Sequence, residues 1–383
     1  MGERHNSVLV YRDRIAPRSE AQFLRRQYVG FRRLTPVWIG CRTDDGLAEL
    51  GVQPLILGRP GVLGAWDRLR FKQLGILPPE PDLNALRASV VHAQFGRGGA
   101  LALPIARALG LPLVVTFHGG DATKAKHYSR RVVPTIFQRR LADLKREAAL
   151  FLCVSQFIKD RLAARGFPAD KLRVMRLGVE IEPQASPRVP ADPPEILCVG
   201  RFVEKKGIAH LVEAARTLWD WGSRARIVLI GDGPLRASLE AQAADLPNVV
   251  FTGWQPASEV RRRLRAATAL CAPSVVSQDG DADGLPTVIL EAMADGVPVI
   301  GSRQAGIAEA VEDRTTGLLV PPGSPAALAE AIEAILCRPD WCQELGVAAR
   351  RAVEQRFNAA TQSRLLEDKL VEVSQTSGMS VHT

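Results

Sequence analysis

Ile196-Leu-Cys-Val-Gly-Arg-Phe-Val-Glu-Lys-Lys-Gly207 holds an apolar run, a glycine turn and a basic stretch that leads into a helical pattern near Gly207. A short strand turning sharply into a helix is half of a βαβ crossover, and the turn brings the free amides of the helix start to the strand's carboxyl end. Arg201 and Lys206 add fixed positive charge there, so the turn reads as a phosphate site. Neither G-x-x-x-x-G-K-[ST] nor G-x-G-x-x-G is present, which excludes a P-loop and the common dinucleotide turn.

The same alternation of short apolar runs and longer helical patterns extends both ways from this stretch. Strands are expected at Ser7–Tyr11, Val37–Cys41, Val90–Ala93, Leu113–Phe117 and Leu150–Val154, and again at Ile196–Val199, Arg226–Ile230, Val249–Thr252, Leu270–Ala272 and Val297–Gly301. Prolines 183, 187, 190, 193 and 194 lie between the two sets and exclude a helix or central strand. With 383 residues, 46% of them hydrophobic, the chain exceeds one ordinary core. The expected class is therefore α/β, with two doubly wound Rossmann-like domains facing a central cleft at their strands' carboxyl ends. The expected boundaries are a first domain over 1–182, a Pro-rich linker over 183–195 and a second domain over 196–356. A C-terminal helix within 357–383 is free to return to the first domain, with Ser374–Thr383 as a frayed tail.

Two further stretches of the second half converge on the phosphate turn. The strand Arg226–Ile230 ends in Gly231, Asp232 and Gly233, a tight turn that lets backbone approach the same sheet edge as a nucleotide-pocket loop. The run from Ala272 to Ala294 contains Asp279, Asp281, Asp283 and Gly284, which imitate the opening of a calcium loop. That reading fails, because the twelfth position is Leu290, Pro286 interrupts the loop and Glu291 comes one residue late. Pro286 instead fits the first turn of a helix from about Thr287 to Asp295, which leaves the amides of Leu285, Thr287 and Val288 free for an anion. Asp283 and Glu291 then bracket a ligand that carries both phosphate and neutral hydroxyls. A carboxylate repels the first and accepts from the second, so the pair belongs to the sugar ends.

These residues in combination resemble the retaining, nucleotide-sugar-dependent glycosyltransferases of the GT-B fold, family four, also called group one. The resemblance covers the second half from Gly200–Gly207 through Phe251-Thr-Gly-Trp254 and 273–294 to Thr316–Gly323. It implies that Arg201 and Lys206 hold the donor diphosphate and that Glu291 takes the ribose hydroxyls. Asp283 falls where the family carries Glu, so its contact with the donor sugar starts from a side chain one methylene shorter.

In the first half, Val90-Val-His-Ala-Gln-Phe-Gly-Arg-Gly-Gly99 and Leu113-Val-Val-Thr-Phe-His-Gly-Gly-Asp121 are strands ending in small residues with a polar side chain at the tip. His118, at a strand end and followed by two glycines and an acid, is the candidate catalytic histidine; by resemblance it lines the donor-sugar pocket. His92 and Asp121 are candidates for positioning the acceptor. The loop Tyr11–Glu20 lacks the glycines of many relatives, and its Pro-Arg-Ser-Glu, ending in the acceptor-side candidate Glu20, is similar to enzymes that build bacterial surface polysaccharides.

The resemblance implies transfer of a sugar from UDP-, GDP- or another NDP-sugar to a hydroxyl of a glycan or lipid-linked acceptor, in exopolysaccharide, capsule or lipopolysaccharide synthesis. The anomeric configuration is retained, and neither a metal nor another cofactor is expected. Rival readings are a nucleotide-sugar 2-epimerase, a glycoside phosphorylase and a non-catalytic two-domain ligand-binding protein. The net charge of +9 hides an asymmetry. Residues 1–185 hold 30 Lys and Arg against 16 Asp and Glu, a net +14, and residues 186–383 hold 20 against 25, a net −5. With only 5% aromatic residues and no recognisable module, nucleic acid is not the expected partner. A basic first half instead fits an anionic acceptor surface, such as a lipid diphosphate at the cytoplasmic membrane face. The charged start and the lack of an apolar span give a cytoplasmic expectation, and six scattered cysteines without C-x-x-C read as reduced thiols.

Overall fold

The structure, a computed structural model, describes residues 6–17, 22–48, 51–129, 131–182 and 188–379; Glu20 lies outside the described residues. The chain divides into two units, Met1–Gly178 with Ala359–Thr383, and Val179–Asn358.

The first unit carries β1 (Asn6–Tyr11), β2 (Arg14–Ile15), β3 (Leu34–Gly40), β4 (Arg42–Thr43), β5 (Leu55–Ile56), β6 (Ala88–Gln94), β7 (Leu113–Phe117), β8 (Leu150–Cys153) and β9 (Leu172–Val174). Seven of these form a parallel sheet in the order β5-β3-β1-β6-β7-β8-β9, while β2 and β4 pair separately. The chain winds outward from β1 to β5 and then returns to the other side of β1 with β6. The topological switch point therefore lies between β1 and β6, the position at whose carboxyl ends sheets of this class bind ligands.

Alternation along the strands divides the core. Leu9, Tyr11, Val91, Ala93, Val115 and Phe117 pack on one face with the helix Gly96–Leu109. Val8, Val10, Val90, Val114 and Leu152 pack on the other, with Leu366 and Leu370 of the helix Ala359–Met379. That last helix is pinned by polar contacts as well. Ser363 Oγ accepts from the Gly30 amide at 2.9 Å, and buried Glu367 Oε1 accepts from the amides of Arg32, Arg33 and Leu34 at 2.8, 2.6 and 2.8 Å. The helix runs through Met379 rather than fraying from Ser374, since Val371 and Val373 continue its seam against the core.

The second unit carries β10 (Glu195–Val199), β11 (Arg226–Ile230), β12 (Val249–Gly253), β13 (Ala269–Ala272), β14 (Val299–Ser302) and β15 (Gly317–Val320), parallel throughout and ordered β12-β11-β10-β13-β14-β15. Its switch point lies between β10 and β13. The division between units falls at Gly178/Val179, ahead of the Pro-rich stretch expected as linker, and the described part of that stretch is strapped onto the second unit. Ala191 donates to the Ala266 carbonyl at 2.8 Å, Pro194 accepts from the Arg226 amide at 2.8 Å, and Arg188 donates to Gly296 O at 2.8 Å. Prolines lose their donors but keep carbonyls, so neighbouring residues can still tie the segment down.

Candidate active site

In the second unit three loops at the carboxyl edge, those after β10, β11 and β13, are drawn together by backbone approaches that only glycine permits. Gly207 has φ +64°, and a Cβ there would stand 1.9 Å from the Pro273 carbonyl oxygen. At Gly231, φ +142°, a Cβ would stand 1.9 Å from Gly200 O. The short helical turn Glu204–Lys206 is thereby set against the loop after β13, with Val275 donating to Lys205 O at 2.9 Å.

This seating brings two lysines onto two aspartates. Lys206 Nζ lies 2.7 Å from Asp283 Oδ2, and Lys205 Nζ lies 3.2 Å from Asp283 Oδ1 and 3.1 Å from Asp281 Oδ1. Ser274 Oγ donates to Asp283 Oδ2 at 3.2 Å. Both aspartates are 8% exposed. Burial pushes the Asp283 carboxyl up, but Lys206 and Lys205 outweigh it and hold the group below its ordinary value. Burial likewise disfavours the Lys205 ammonium, and Asp283 with Asp281 reverses that to raise it.

Pro286 precedes the helix Thr287–Ala294 in extended geometry and brings no side-chain cap. The amides of Leu285, Thr287 and Val288 donate to no group among the described residues, which leaves an anion-ready helix start beside the ion cluster. Glu291 sits about one turn into that helix, partly exposed, and Arg201 is exposed on the turn after β10. Asp232 Oδ1 accepts from the Gly233 amide at 2.7 Å, which stiffens the Gly231–Gly233 turn at the tip of β11.

In the first unit the register of β6 against β7 pairs His92 with Val114 and Gln94 with Thr116, so His92, Gln94 and Thr116 share one sheet face and His118 follows at the tip. On that face runs a hydrogen-bonded series. His118 Nε2 lies 2.7 Å from Gln94 Oε1, Gln94 Nε2 donates to Tyr28 Oη at 2.7 Å, Tyr28 Oη lies 2.8 Å from His92 Nδ1, and His92 Nε2 lies 2.7 Å from Thr116 Oγ1. The His118 ring is flanked by Phe95 at 4.5 Å and Phe23 at 5.0 Å between centroids, and its buried Nδ1 has no hydrogen-bond partner among the described residues. Burial, then nearby Arg12 and His92, push the His118 imidazole well below its ordinary range, and burial takes His92 down to about 3. Both rings are neutral at pH 7.

Residues 193–338 match the family model of glycosyl transferases group 1, and residues 31–183 match that of glycosyltransferase family 4. The chain belongs to the group 1 glycosyltransferases. It is 34% identical over 323 residues to the putative colanic acid biosynthesis glycosyltransferase WcaL of Escherichia coli, covering 80% of this chain and 78% of that one. It is 35% identical over 294 residues to the amylovoran biosynthesis glycosyltransferase AmsK of Erwinia amylovora, covering 74% and 70%. Among solved structures it is similar to Anabaena HepE in complex with UDP and glucose, with TM-score 0.76, 20% identity, and 96% of this chain and 100% of that one covered. The fold is GT-B.

Within this glycosyltransferase two of the residues expected to meet the acceptor do other work. His92 is fully buried with both ring nitrogens bonded to Tyr28 and Thr116, so it is interior and reaches no ligand. Asp121 spends its carboxylate on backbone: Oδ1 accepts from the His118 and Gly119 amides at 3.1 and 2.8 Å, and Oδ2 accepts from Gly96 at 3.1 Å. It braces the loop that carries His118. Lys206 is held in place by Asp283 at 2.7 Å, a fixed rather than a mobile cation, and Lys205, Ser274, Gln94, Tyr28 and Thr116 join the sites without having been singled out in the sequence. Adjacency to Lys206 was the available signal for Lys205. For Gln94 it was the polar alternation of His92 and Gln94 within an otherwise apolar parallel strand.

The glycine-free loop after β1 is built differently from a phosphate turn. Asp13 Oδ1 takes Lys72 Nζ at 2.6 Å, Arg14 pairs with Asp44 at 3.0 Å, and the Arg12 guanidinium stacks 4.0 Å from the Phe95 ring centroid.

Proposed function

We propose that this glycosyltransferase moves a sugar from a nucleoside diphosphate donor to a hydroxyl of a glycan or lipid-linked acceptor, with retention, in the assembly of a bacterial surface polysaccharide. The observation that carries the reading is the half-buried Lys205 and Lys206 on buried Asp283, beside the open amides of Leu285, Thr287 and Val288 at a sheet switch point. The printed names of WcaL and AmsK support the polysaccharide context, and the UDP and glucose of HepE support the donor class.

As the bond between the anomeric carbon and the diphosphate oxygen breaks, negative charge builds on the leaving group. Lys206, Arg201 and the helix-start amides stabilise it from fixed positions. The acceptor oxygen attacks the same face of an oxocarbenium-like carbon, and its proton passes to the departing phosphate oxygen. Glu291 accepts from the ribose hydroxyls, and Asp283, held ionised by its lysines, accepts from the sugar. His118 accepts from a sugar hydroxyl without titrating. The proposed chemistry leaves no step for a metal.

The surface of the first unit supports an acceptor presented by lipid on the cytoplasmic side. The helix Gly61–Leu74 exposes Val62, Leu63, Trp66 and Leu69 beside exposed Arg70, and Val132 and Val133 stand out next to Arg131. Apolar side chains set among arginines suit an anionic bilayer face. No helix among the described residues is long and apolar enough to cross a membrane.

A panel of nucleotide sugars scored by protection against thermal unfolding tests the donor, since a bound donor raises Tm by mass action. At least one should protect, and product analysis with that donor should give transfer rather than an epimer. Protection by none of them overturns the reading. For the lipid face, Trp66→Ser should weaken sedimentation with phosphatidylglycerol vesicles but not with neutral ones; equal binding to both overturns it.

A further inference from the structure

We infer that Gln94, Tyr28, His92 and Thr116 are positioning residues that hold His118 as its Nε2–H tautomer, reserving Nδ1 to accept from a ligand hydroxyl. The inference deepens the proposed function and rests on its placing of His118 in the sugar pocket.

The series has one sense because each group in it fixes the next. A primary amide has one accepting and one donating end. Gln94 spends its NH₂ on Tyr28 Oη, so its oxygen faces His118 Nε2, and a 2.7 Å contact there needs the proton on Nε2. Tyr28 Oη already accepts from Gln94, so its own hydrogen goes to His92 Nδ1. His92 then carries its proton on Nε2 and donates to Thr116 Oγ1. All four bonds are satisfied in this sense, and among the described residues His118 Nδ1 is the one ring nitrogen of the series left without a partner, as a bare lone pair. Reversing every bond would place an orphan N–H at that buried position, which proteins avoid more strictly than an orphan acceptor.

The chemical consequence is selectivity. A neutral imidazole with its lone pair at Nδ1, walled by Phe95 and Phe23, accepts from a hydroxyl and offers nothing to a carboxylate or phosphate oxygen. At this spot the ligand must bring the hydrogen, so a sugar bearing a free hydroxyl is taken and one bearing a carboxylate there is refused. Tyr28 acts through Gln94 and His92 through Tyr28; neither touches the ligand.

The test reads the tautomer directly, in the full chain labelled with ¹⁵N-histidine and free of ligand, with the His118 resonances assigned from His118→Asn. At pH 7, His118 should show the pattern of a neutral Nε2–H ring. Tyr28→Phe removes the group that orients the Gln94 amide, and Gln94→Leu removes the acceptor itself; in each, the Nδ1–H form should appear and kcat/KM should fall about tenfold, the worth of one hydrogen bond. Gln94→Glu, which keeps an acceptor at Nε2, should keep the Nε2–H form. Either variant that folds suffices. A wild-type His118 protonated on Nδ1, or an Nε2–H form that persists in either folded variant, overturns the inference whatever the activity. The expected spectra with undiminished transfer would instead remove His118 from the sugar pocket, overturning the reading beneath it while leaving the proton order of the series intact.

Discussion

Along the edge of the first sheet, His118, Gln94, Tyr28, His92 and Thr116 are joined as neutral groups, whereas along the edge of the second, Lys205, Lys206, Asp281 and Asp283 are joined as ions. Both sets stand at a switch point of a parallel sheet, so the backbone offers the same crevice twice. The side chains then divide the labour. A neutral series has direction but little field, and it discriminates by which end of a bond it presents. An ion cluster has a field that reaches a diphosphate, at the cost of keeping charges buried in pairs.

That contrast can be broken most forcefully at Asp283. Asp283→Ala leaves Lys205 and Lys206 without their shared carboxylate and should cost about 3–5 kcal/mol of stability in urea unfolding, as well as donor turnover. Asp283→Glu should retain most of both; a fully active Ala variant removes the residue from the site. Next in size is Lys206→Ala, expected to lower kcat/KM by roughly 10²–10³ with a smaller effect on unfolding, since Lys205 still pairs with Asp283. Wild-type turnover in that variant would end the phosphate assignment.

The two units also separate by pH. His92 and His118 have folded pKa values below their unfolded ones, so the unfolded chain binds the extra protons, and the stability they lend is complete above about pH 6.5 and declines on acidification. His92 contributes a slope that approaches about 1.4 kcal/mol per pH unit below that point, and His118 adds to it in the same direction. Asp283 is also depressed, but from 3.8, so its contribution is lost only as the pH falls below about 4. Amide exchange should therefore show the first unit loosening between pH 6.5 and 5 while the second holds. Loosening of both in one window would contradict the division into neutral and ionic edges.

What was legible in the sequence follows the same line. Lys206, Asp283, Glu291 and the Gly231–Gly233 turn are marked by short spacings, because a glycine turn and a helix start are local objects. The alternating runs mark the inner strands of both sheets and β12 for the same reason, since a buried parallel strand is a short apolar segment wherever it lies, but they miss the short edge strands β5, β9 and β15. Tyr28 reaches His92 across 64 residues of chain, a separation no local pattern encodes. His92 and Asp121 misled because a histidine or acid beside a strand tip looks alike whether it faces a ligand or the interior. Only register and backbone amides tell them apart.

The helix Ala359–Met379 closes the face on which Tyr28, His92 and Val114 lie, yet it is made after the whole of the second unit. On the ribosome the continuous second unit can finish first, while the first waits with Val8, Val10 and Val90 uncovered until Leu366 and Leu370 emerge. The segment around Gly30–Leu34, tied down by Ser363 and Glu367, is set only then. The order of synthesis thus leaves the seating of the Gly30–Leu34 segment, next in chain to Tyr28, for the last residues made, and a chain stopped at Asn358 would lack the contacts from Ser363, Leu366, Glu367 and Leu370.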